Sequence, residues 1–280
     1  MITYNSKAWF ALIFQFHKSD TFRRLIPNML IVAAFAWVIA FLEIEYWKIS
    51  QNASPVLHSV LGFVISLLLV FRTNTAYERW WEGRKFWGGL VNTSRNLALK
   101  IDSLLEPDDI ETRNTFEHLI ILFPNVLKNH LRNKKHTQIP TNIHQPNYVI
   151  KQLMHATQKL YKQQKISGEQ LLTLNNEISE YANICGGCER IRKTPIPYSY
   201  SIFLKKFVFV YVMTFPFGFM KELGYMTIPA VTLLFYVLVS LEIIAEEIED
   251  PFGEDANDLP TDEIADTIEG NVIEIFSVVK

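Results

Sequence analysis

Four apolar runs divide this 280-residue chain, and most of its charged residues lie between them. The runs cover residues 25–42, 56–71, 207–220 and 225–241. A lone helix needs about 20 apolar residues to span a bilayer, and these runs are at or below that length. Short runs suit helices that are flanked by protein and end at a water-filled mouth. They predict an all-α integral membrane protein with four transmembrane helices per subunit; four buried helices of a soluble bundle are the alternative.

Basic residues are distributed unevenly around the runs, and their distribution predicts the topology. Lys18, Arg23 and Arg24 precede the first run, whereas the connection over residues 43–55 contains a single lysine. Lys205 and Lys206 precede the third run. Cytoplasmic loops of membrane proteins are enriched in Lys and Arg. The pattern therefore predicts a multi-pass protein of the cell membrane, with both termini in the cytoplasm and membrane lipids as partners.

The order of apolar and polar segments predicts four regions. Residues 1–84 hold an N-terminal segment and the first two transmembrane helices, the second over about 56–84. Residues 85–201 form a cytosolic helical region, 202–246 hold the third and fourth transmembrane helices, and 247–280 form an acidic cytosolic segment. Within the cytosolic region, apolar positions at helical spacing predict helices over 92–105, 116–131, 148–161 and 169–184. The polar stretch 133–147 predicts a loop.

Composition and motifs exclude several classes of function. The formal net charge is −2, so no basic excess points to nucleic acid as a partner. The sequence has no nucleophile elbow, no P-loop and no paired carboxylates inside an apolar run. It therefore predicts no enzymatic activity and no required cofactor. Two cysteines are too few for a disulfide scaffold.

The most informative motif is residues 71–88, which follow the second run and contain three arginines, one lysine and three tryptophans. Tryptophan and basic side chains are frequent in the headgroup layer, where they hold a helix in position relative to the membrane. We interpret five of these residues as an interfacial collar: Arg72, Arg79, Trp80, Trp81 and Arg84. Direct contact with permeant ions is the alternative interpretation.

The same block resembles the signature of the bestrophin family of ion channels, through Arg72-Thr-Asn, Arg79-Trp and Trp87-Gly. Residues 2–6 and 250–255 are similar to two further family elements, at the N-terminus and after the fourth helix. The resemblance extends over essentially the whole chain and is to the prokaryotic type. It implies a homo-oligomer, a pentamer in this family, whose second helices surround a central pore for small monovalent ions.

The resemblance also implies a hydrophobic neck in that pore. Phe63, Leu67 and Phe71 match the family's neck, and Ile184 matches its cytosolic aperture. The three neck positions recur every fourth residue, so they share one face of a helix. Rings of apolar side chains from several subunits form a constriction that can gate by dewetting. Ordinary packing of an apolar helix is the alternative, and periodicity alone favours it.

The sequence leaves open which ion the channel conducts. The resemblance implies chloride and other small anions. A monovalent cation channel for sodium or potassium is an alternative, because an apolar neck does not set the sign of the ion and residues 242–274 hold thirteen acids without Lys or Arg. A transporter or a non-conducting membrane scaffold is the second alternative. The chain lacks the internal repeat and the intramembrane ionisable residues that are usual in transporters.

An acidic segment after the fourth run raises the question of calcium. Asp255 and Asp258 match the carboxylate ligands of the calcium clasp in animal bestrophins, with main-chain oxygens near Glu247, Asp250 and Trp9. The two residues between the aspartates depart from the acidic pattern. Calcium takes six to eight oxygen ligands, so two carboxylates need several more. We expect a solvated acidic segment, with a calcium site as the alternative.

Cysteines and histidines give weaker signals. Cys185 and Cys188 form a single C-x-x-C pair with no second pair and no histidine close in sequence. A structural zinc site normally needs four ligands, so we interpret the pair as part of a tight glycine-containing helix end, with a redox pair as the alternative. The seven histidines show no metal-ligand spacing. We interpret His58, near the outer end of the second run, as a buried, satisfied residue rather than a residue of the pore mouth.

Overall fold

The computed structural model describes residues 20–47 and 55–277, and within these ranges the chain forms helices and no β-strand. The prediction of an all-α chain is therefore confirmed. A π-helical turn, Leu42–Trp47, extends the first helix, and a 3-10 turn, Gly224–Met226, connects the sixth to the seventh. In chain order the helices are α1 (Asp20–Phe41), α2 (Pro55–Leu104), α3 (Ile110–Leu131), α4 (Gln145–Lys162), α5 (Gly168–Lys193), α6 (Tyr198–Leu223), α7 (Thr227–Glu249) and α8 (Thr261–Ser277).

The fold divides into two compact units. The apolar unit comprises the described residues up to Glu78 together with Ile196–Glu249, and it contains α1, the first half of α2, α6 and α7. The polar unit comprises Arg79–Pro195 together with the described residues from Asp250 onward. The chain passes from one unit to the other after Glu78, Pro195 and Glu249, and each of these positions lies within six residues of a predicted region boundary. The acidic C-terminal segment belongs to the same unit as α3, α4 and α5, whereas the sequence suggested a separate region.

The apolar unit is held together by α7, which packs against both α1 and α6. Three continuous helical stretches of the described chain are long and apolar enough to cross a membrane: Thr21–Tyr46, Val56–Leu104 and Tyr198–Glu249. Ala36 is fully buried, and such small residues allow helices to approach closely in a membrane. The core consists of Val32, Ala36, Ile65, Leu69, Leu204, Val208, Tyr211, Val212, Val231 and Leu238.

The third stretch contains two helices because the chain turns at Gly224. The φ angle of this residue is 54°, in the left-handed region that glycine adopts without a steric penalty. The Gly224 N–H donates to the carbonyl of Met220, which closes the last turn of α6. The third and fourth apolar runs are thus separate helices, and the number of membrane crossings stays a prediction.

α2 is a single helix of 50 residues. The sequence suggested a separate helix over 92–105, but the segment continues α2 because no proline interrupts it. The helix ends before Glu106-Pro107, where buried Arg113 satisfies the terminal carbonyls. Its guanidinium donates to the carbonyls of Leu105 at 3.0 Å and Glu106 at 2.5 Å.

The polar unit is a helical assembly in which α3 packs against α4 and α8, and α4 packs against α5. Tyr181 is fully buried at its centre and donates to Ser94 Oγ at 3.0 Å. Burial raises the pKa of Tyr181, so it stays a neutral donor. Helix α8 lies within the acidic segment and was missed by the sequence analysis. Its apolar residues Ile264, Ile268 and Val272 are buried at every fourth position, and its acids are exposed.

Candidate functional site

α2 has an exposed apolar face opposite its buried face. Phe63, Leu67 and Phe71 are 70%, 46% and 57% exposed, whereas Ile65 and Leu69 are 1% and 2% exposed. Successive residues are about 100° apart around a helix axis, so the two sets lie on opposite sides. The three residues that match the neck are therefore directed away from the core of their own subunit.

The opposite face of α2 packs closely against α6 in the apolar unit. An added side-chain carbon at Gly62 would lie 2.5 Å from the Tyr211 hydroxyl oxygen, so any larger residue would require the Tyr211 ring to shift. His58 stacks on Tyr211 with ring centroids 4.2 Å apart, and Phe215 meets its edge at 5.4 Å. His58 is 8% exposed, which agrees with the interpretation that it is buried. It is not satisfied, because its Nε2 has no hydrogen-bond partner among the described residues.

Arg72, the first member of the proposed collar, is a buried ion-pair residue. It is 1% exposed, and its Nη2 lies 2.6 Å from Glu249 Oε2. Its Nε lies 3.6 Å from Glu242 Oε1. The second oxygen of Glu249 accepts from the Ile196 N–H at 2.7 Å. The hydrogen-bonded pair of Arg72 and Glu249 therefore holds α2 against α7, whereas neither carboxylate oxygen of Glu242 has a hydrogen-bond partner among the described residues.

The other collar residues have different surroundings. Arg79 donates to the carbonyl of Ile191 at 2.5 Å and to that of Thr194, which caps the C-terminal end of α5. Trp80 donates through its indole N–H to the Asn257 carbonyl at 3.0 Å. Trp81 and Arg84 are exposed. Within the described chain, Arg79 and Trp80 thus contact backbone, and their position relative to the membrane stays a prediction.

Ile184 has surroundings that differ from those of an aperture residue. Its side chain is 5% exposed and belongs to the core of the polar unit, close to Gly89 of α2. A residue that lines an aperture must present its side chain on the surface of the subunit. The assignment of Ile184 to the aperture is therefore corrected: its place on α5 faces the core, a direction that the family match alone does not specify.

Cys185 and Cys188 lie in the middle of α5, and the helix end expected at this motif is wrong. Both are buried free thiols. Gly187 of this motif serves close helix packing rather than a helix end, because a side-chain carbon there would overlap the ring of Phe86 on α2. Burial raises the pKa of the Cys185 thiol to about 12 and also raises the pKa of Cys188. Both thiols are therefore protonated at neutral pH unless a metal ion or another cation displaces the proton.

The two aspartates proposed for calcium have separate roles in one turn. Asp258 is buried, and its Oδ2 accepts from the Asp255 N–H at 2.6 Å, whereas the Asp255 side chain is exposed. Neighbouring acids already pair with cations, since Arg132 lies 2.9 Å from Asp262 and 3.6 Å from Glu254. Trp9 lies outside the described residues. Calcium requires six to eight oxygens, so whether this turn can hold the ion stays a prediction.

A cluster of His130, His144 and Glu189 lies in the polar unit and was not predicted from the sequence. The Nε2 atoms of His130 and His144 lie 2.7 Å and 2.6 Å from Glu189 Oε1, and the three residues are half-buried. Burial lowers the pKa of His130. Burial alone would raise the pKa of Glu189, but hydrogen bonds from the two histidines outweigh it and the pKa lies below its usual range. The histidines are 59 and 45 residues from Glu189, so no local spacing indicates the cluster.

Comparisons with known proteins agree on one family. A family model described as "Bacterial/Fungal Bestrophin protein" matches residues 1–274. A voltage-dependent anion channel-forming protein of Nostoc sp. is 33% identical, over 99% of this chain and 94% of its own length. Its counterpart from Synechocystis sp. is 34% identical, over 90% and 86%. The crystal structure of a bacterial bestrophin homologue from Klebsiella pneumoniae has a TM-score of 0.85 at 26% identity, covering 90% of this chain and 98% of that one.

Proposed function

The chain belongs to the bacterial and fungal bestrophin family, and we propose that it forms an anion-conducting channel in the cell membrane. Members of this family are ion channels rather than enzymes. Two relatives are named for forming voltage-dependent anion channels, and these names favour anions over monovalent cations. The distribution of Lys and Arg around the apolar runs supports a multi-pass arrangement with both termini in the cytoplasm.

The exposed apolar face of α2 is the observation that carries the proposal. Phe63 and Phe71 are more than half exposed in a single subunit, so lipid, a second subunit or a lumen must cover them. Five copies of α2 around one axis would turn this face into stacked rings of Phe63, Leu67 and Phe71. Such a hydrophobic neck conducts when it is hydrated and closes when it dewets. The homo-oligomer, and the number five, come from the family resemblance.

The paired charges near α2 and α8 weaken the cation alternative. Glu242 and Glu249 lie against Arg72, so they do not present free negative charge to a permeant ion. In the acidic C-terminal segment, Asp262 pairs with Lys128 at 2.7 Å. Arg84 of the collar is exposed. Part of the acidic excess is thereby neutralised, which leaves less negative charge to concentrate cations.

The selectivity can be measured directly. In a planar bilayer with a tenfold gradient of potassium chloride, we expect a reversal potential near that of chloride, about 59 mV from zero for a monovalent ion. Replacing potassium by a large organic cation should leave this potential unchanged, and replacing chloride by gluconate should shift it. A reversal potential near that of potassium would establish the cation alternative. Slow saturable flux without discrete openings would indicate a transporter. If neither channel currents nor flux were observed, the protein would be a non-conducting scaffold.

We propose further that conduction needs no calcium, because the two residues between Asp255 and Asp258 are not acids and the neighbouring acids Glu254 and Asp262 pair with Arg132. Chelating calcium with EGTA should leave the open probability unchanged. Asp258→Ala should lower the free energy of unfolding by about 1–3 kcal/mol, since the buried carboxylate orders the turn by accepting from Asp255. Asp255→Ala is the matched control and should have little effect on stability. A functional clasp would instead be shown by a current that is lost on chelation and restored by added calcium in the wild type, if both variants lack this dependence on calcium.

A further inference from the structure

The polar unit contains a cluster of nitrogen, oxygen and sulfur donors that conduction does not use. We propose that this cluster binds a divalent transition-metal ion such as zinc, with His130, His144, Glu189 and Cys185 as ligands. His130 lies in the last turn of α3, His144 immediately precedes α4, and the other two belong to α5. The three elements converge on one point, and the proposal is independent of which ion the channel conducts.

The positions of the donor atoms support coordination by His130, His144 and Glu189. One donor atom from each lies within 4.8 Å of the other two. In a tetrahedral zinc site with bonds of about 2.0–2.1 Å, nitrogen and oxygen ligands are about 3.3 Å apart. Each histidine Nε2 would have to move away from Glu189 Oε1 by roughly 0.6 Å to admit the ion, starting from 2.6–2.7 Å. Side-chain rotations of half-buried residues can supply that movement.

Cys185 lies beside this group of three, and its thiol would have to move closer to the histidines to become the fourth ligand. Its Sγ lies 3.9 Å from Glu189 Oε1, and about 3.5 Å separates sulfur and oxygen ligands in a tetrahedral zinc site. The two residues are four positions apart on α5, so they share one helix face. Coordination removes the proton from a thiol. A thiolate and the Glu189 carboxylate together would then balance the two positive charges of the ion.

The hydrogen bonds of the cluster show what the ion would replace. His144 Nδ1 accepts from the Asn147 N–H at 3.2 Å, so its Nε2 carries the proton donated to Glu189. Coordination through Nε2 would move that proton to Nδ1 and break this cap of α4. Two cations lie nearby: Lys193 is 3.4 Å from Glu189 Oε2, and Arg192 donates to the His130 carbonyl at 2.9 Å. They weaken divalent binding, and the carboxylate and thiolate must outweigh them.

A bound ion would connect both ends of one long loop to α5. The loop covers residues 132–144 between α3 and α4, with His130 just before it and His144 at its end. Metal binding to the folded state and not to the unfolded state stabilises a protein by mass action. Zinc should therefore stabilise the polar unit without touching the residues of the proposed neck.

The test uses the full-length protein in detergent, stripped with a chelator and titrated with Co²⁺ and then with Zn²⁺. We expect one ion per subunit, a visible cobalt spectrum typical of tetrahedral sites and a thiolate-to-cobalt charge-transfer band in the near ultraviolet. His144→Ala should weaken binding more than about tenfold, since even outer residues of metal sites contribute that much. Cys185→Ser should remove the charge-transfer band. His155→Ala, which changes an exposed histidine of α4, is the matched control and should alter neither.

Several results would overturn the proposal. Uptake below one ion per subunit in the wild-type protein would exclude the site, as would equal affinity in the wild type and in the double variant His130→Ala, His144→Ala. A charge-transfer band that persists in Cys185→Ser would exclude the fourth ligand. If a histidine variant does not fold, two measurements on the wild-type protein test the proposal: its cobalt spectrum, and the rise of its unfolding temperature with Zn²⁺. No rise and no tetrahedral spectrum would refute binding.

Discussion

Replacing Leu67 with alanine is expected to raise the single-channel current about tenfold. The substitution removes the middle ring of the proposed neck in every subunit, so water and ions enter a wider and less apolar constriction. A tenfold rise corresponds to a barrier lowered by about 1.4 kcal/mol. The measurement is the unit current in planar bilayers, together with the mass of the detergent-solubilised protein, which should remain five times the 32.5 kDa subunit.

Leu69→Ala is the matched control for this result. Leu69 is the same residue type two positions further along α2, but it is 2% exposed and faces the core of its own subunit. Its truncation should leave a cavity that lowers stability by about 2 kcal/mol and should not raise the unit current. Unchanged current in both Leu67→Ala and Phe71→Ala would mean that the exposed face of α2 contacts lipid or protein rather than the lumen.

Replacing Arg72 with alanine is expected to lower the free energy of unfolding by about 3–5 kcal/mol. The substitution leaves Glu242 buried without the guanidinium that faces it and removes the 2.6 Å bond to Glu249. Removing one partner of a buried ion pair is more destabilising than never having the pair, because the remaining charge is still desolvated. Thermal unfolding in detergent and the yield of oligomer on size exclusion measure the effect.

Two further variants separate the ion pair from a general need for arginine. Arg84→Ala removes an exposed arginine of the same collar and should change stability by less than about 0.5 kcal/mol. Neutralising the acids, with Glu242→Gln and Glu249→Gln in the Arg72→Ala background, should restore much of the lost stability. Equal stability in Arg72→Ala and Arg84→Ala would show that the buried ion pair contributes nothing.

The helices were largely predictable because local patterns determine them. The apolar run over 225–241 predicted α7, and the helical spacing over 169–184 predicted most of α5. The reciprocal capping box of Ser167 and Gln170 at the start of α5 was found only in the structure. The membrane class followed from the same patterns. Helix α8 was missed because its apolar residues are spaced four apart among acids, so the segment reads as polar although one face is buried.

The directions of individual side chains were not predictable. Periodicity places Phe63 and Leu67 on one face of α2, but only packing decides that this face is the exposed one. The same limit applies to Ile184, whose side chain turns into the core. Long-range pairs are invisible to spacing: Arg72 meets Glu249 across 177 positions. The Arg- and Trp-rich motif therefore predicted that Arg72 is an anchor at the membrane surface. Its two acidic partners were found only in the structure.

The separation between Arg72 and its partners affects how the chain enters the membrane during synthesis. Ribosomes add about 5–20 residues per second, so Glu249 emerges on the order of ten seconds or more after Arg72, from which 177 positions separate it. During that interval the arginine lacks the two acids that face it in the fold. An unpaired arginine opposes insertion by about 2.5–3.5 kcal/mol at the bilayer centre and less near the surface. The apolar run of α2 must outweigh this penalty on its own. The ion pairs that hold α2 against α7 form only after α7 has been synthesised.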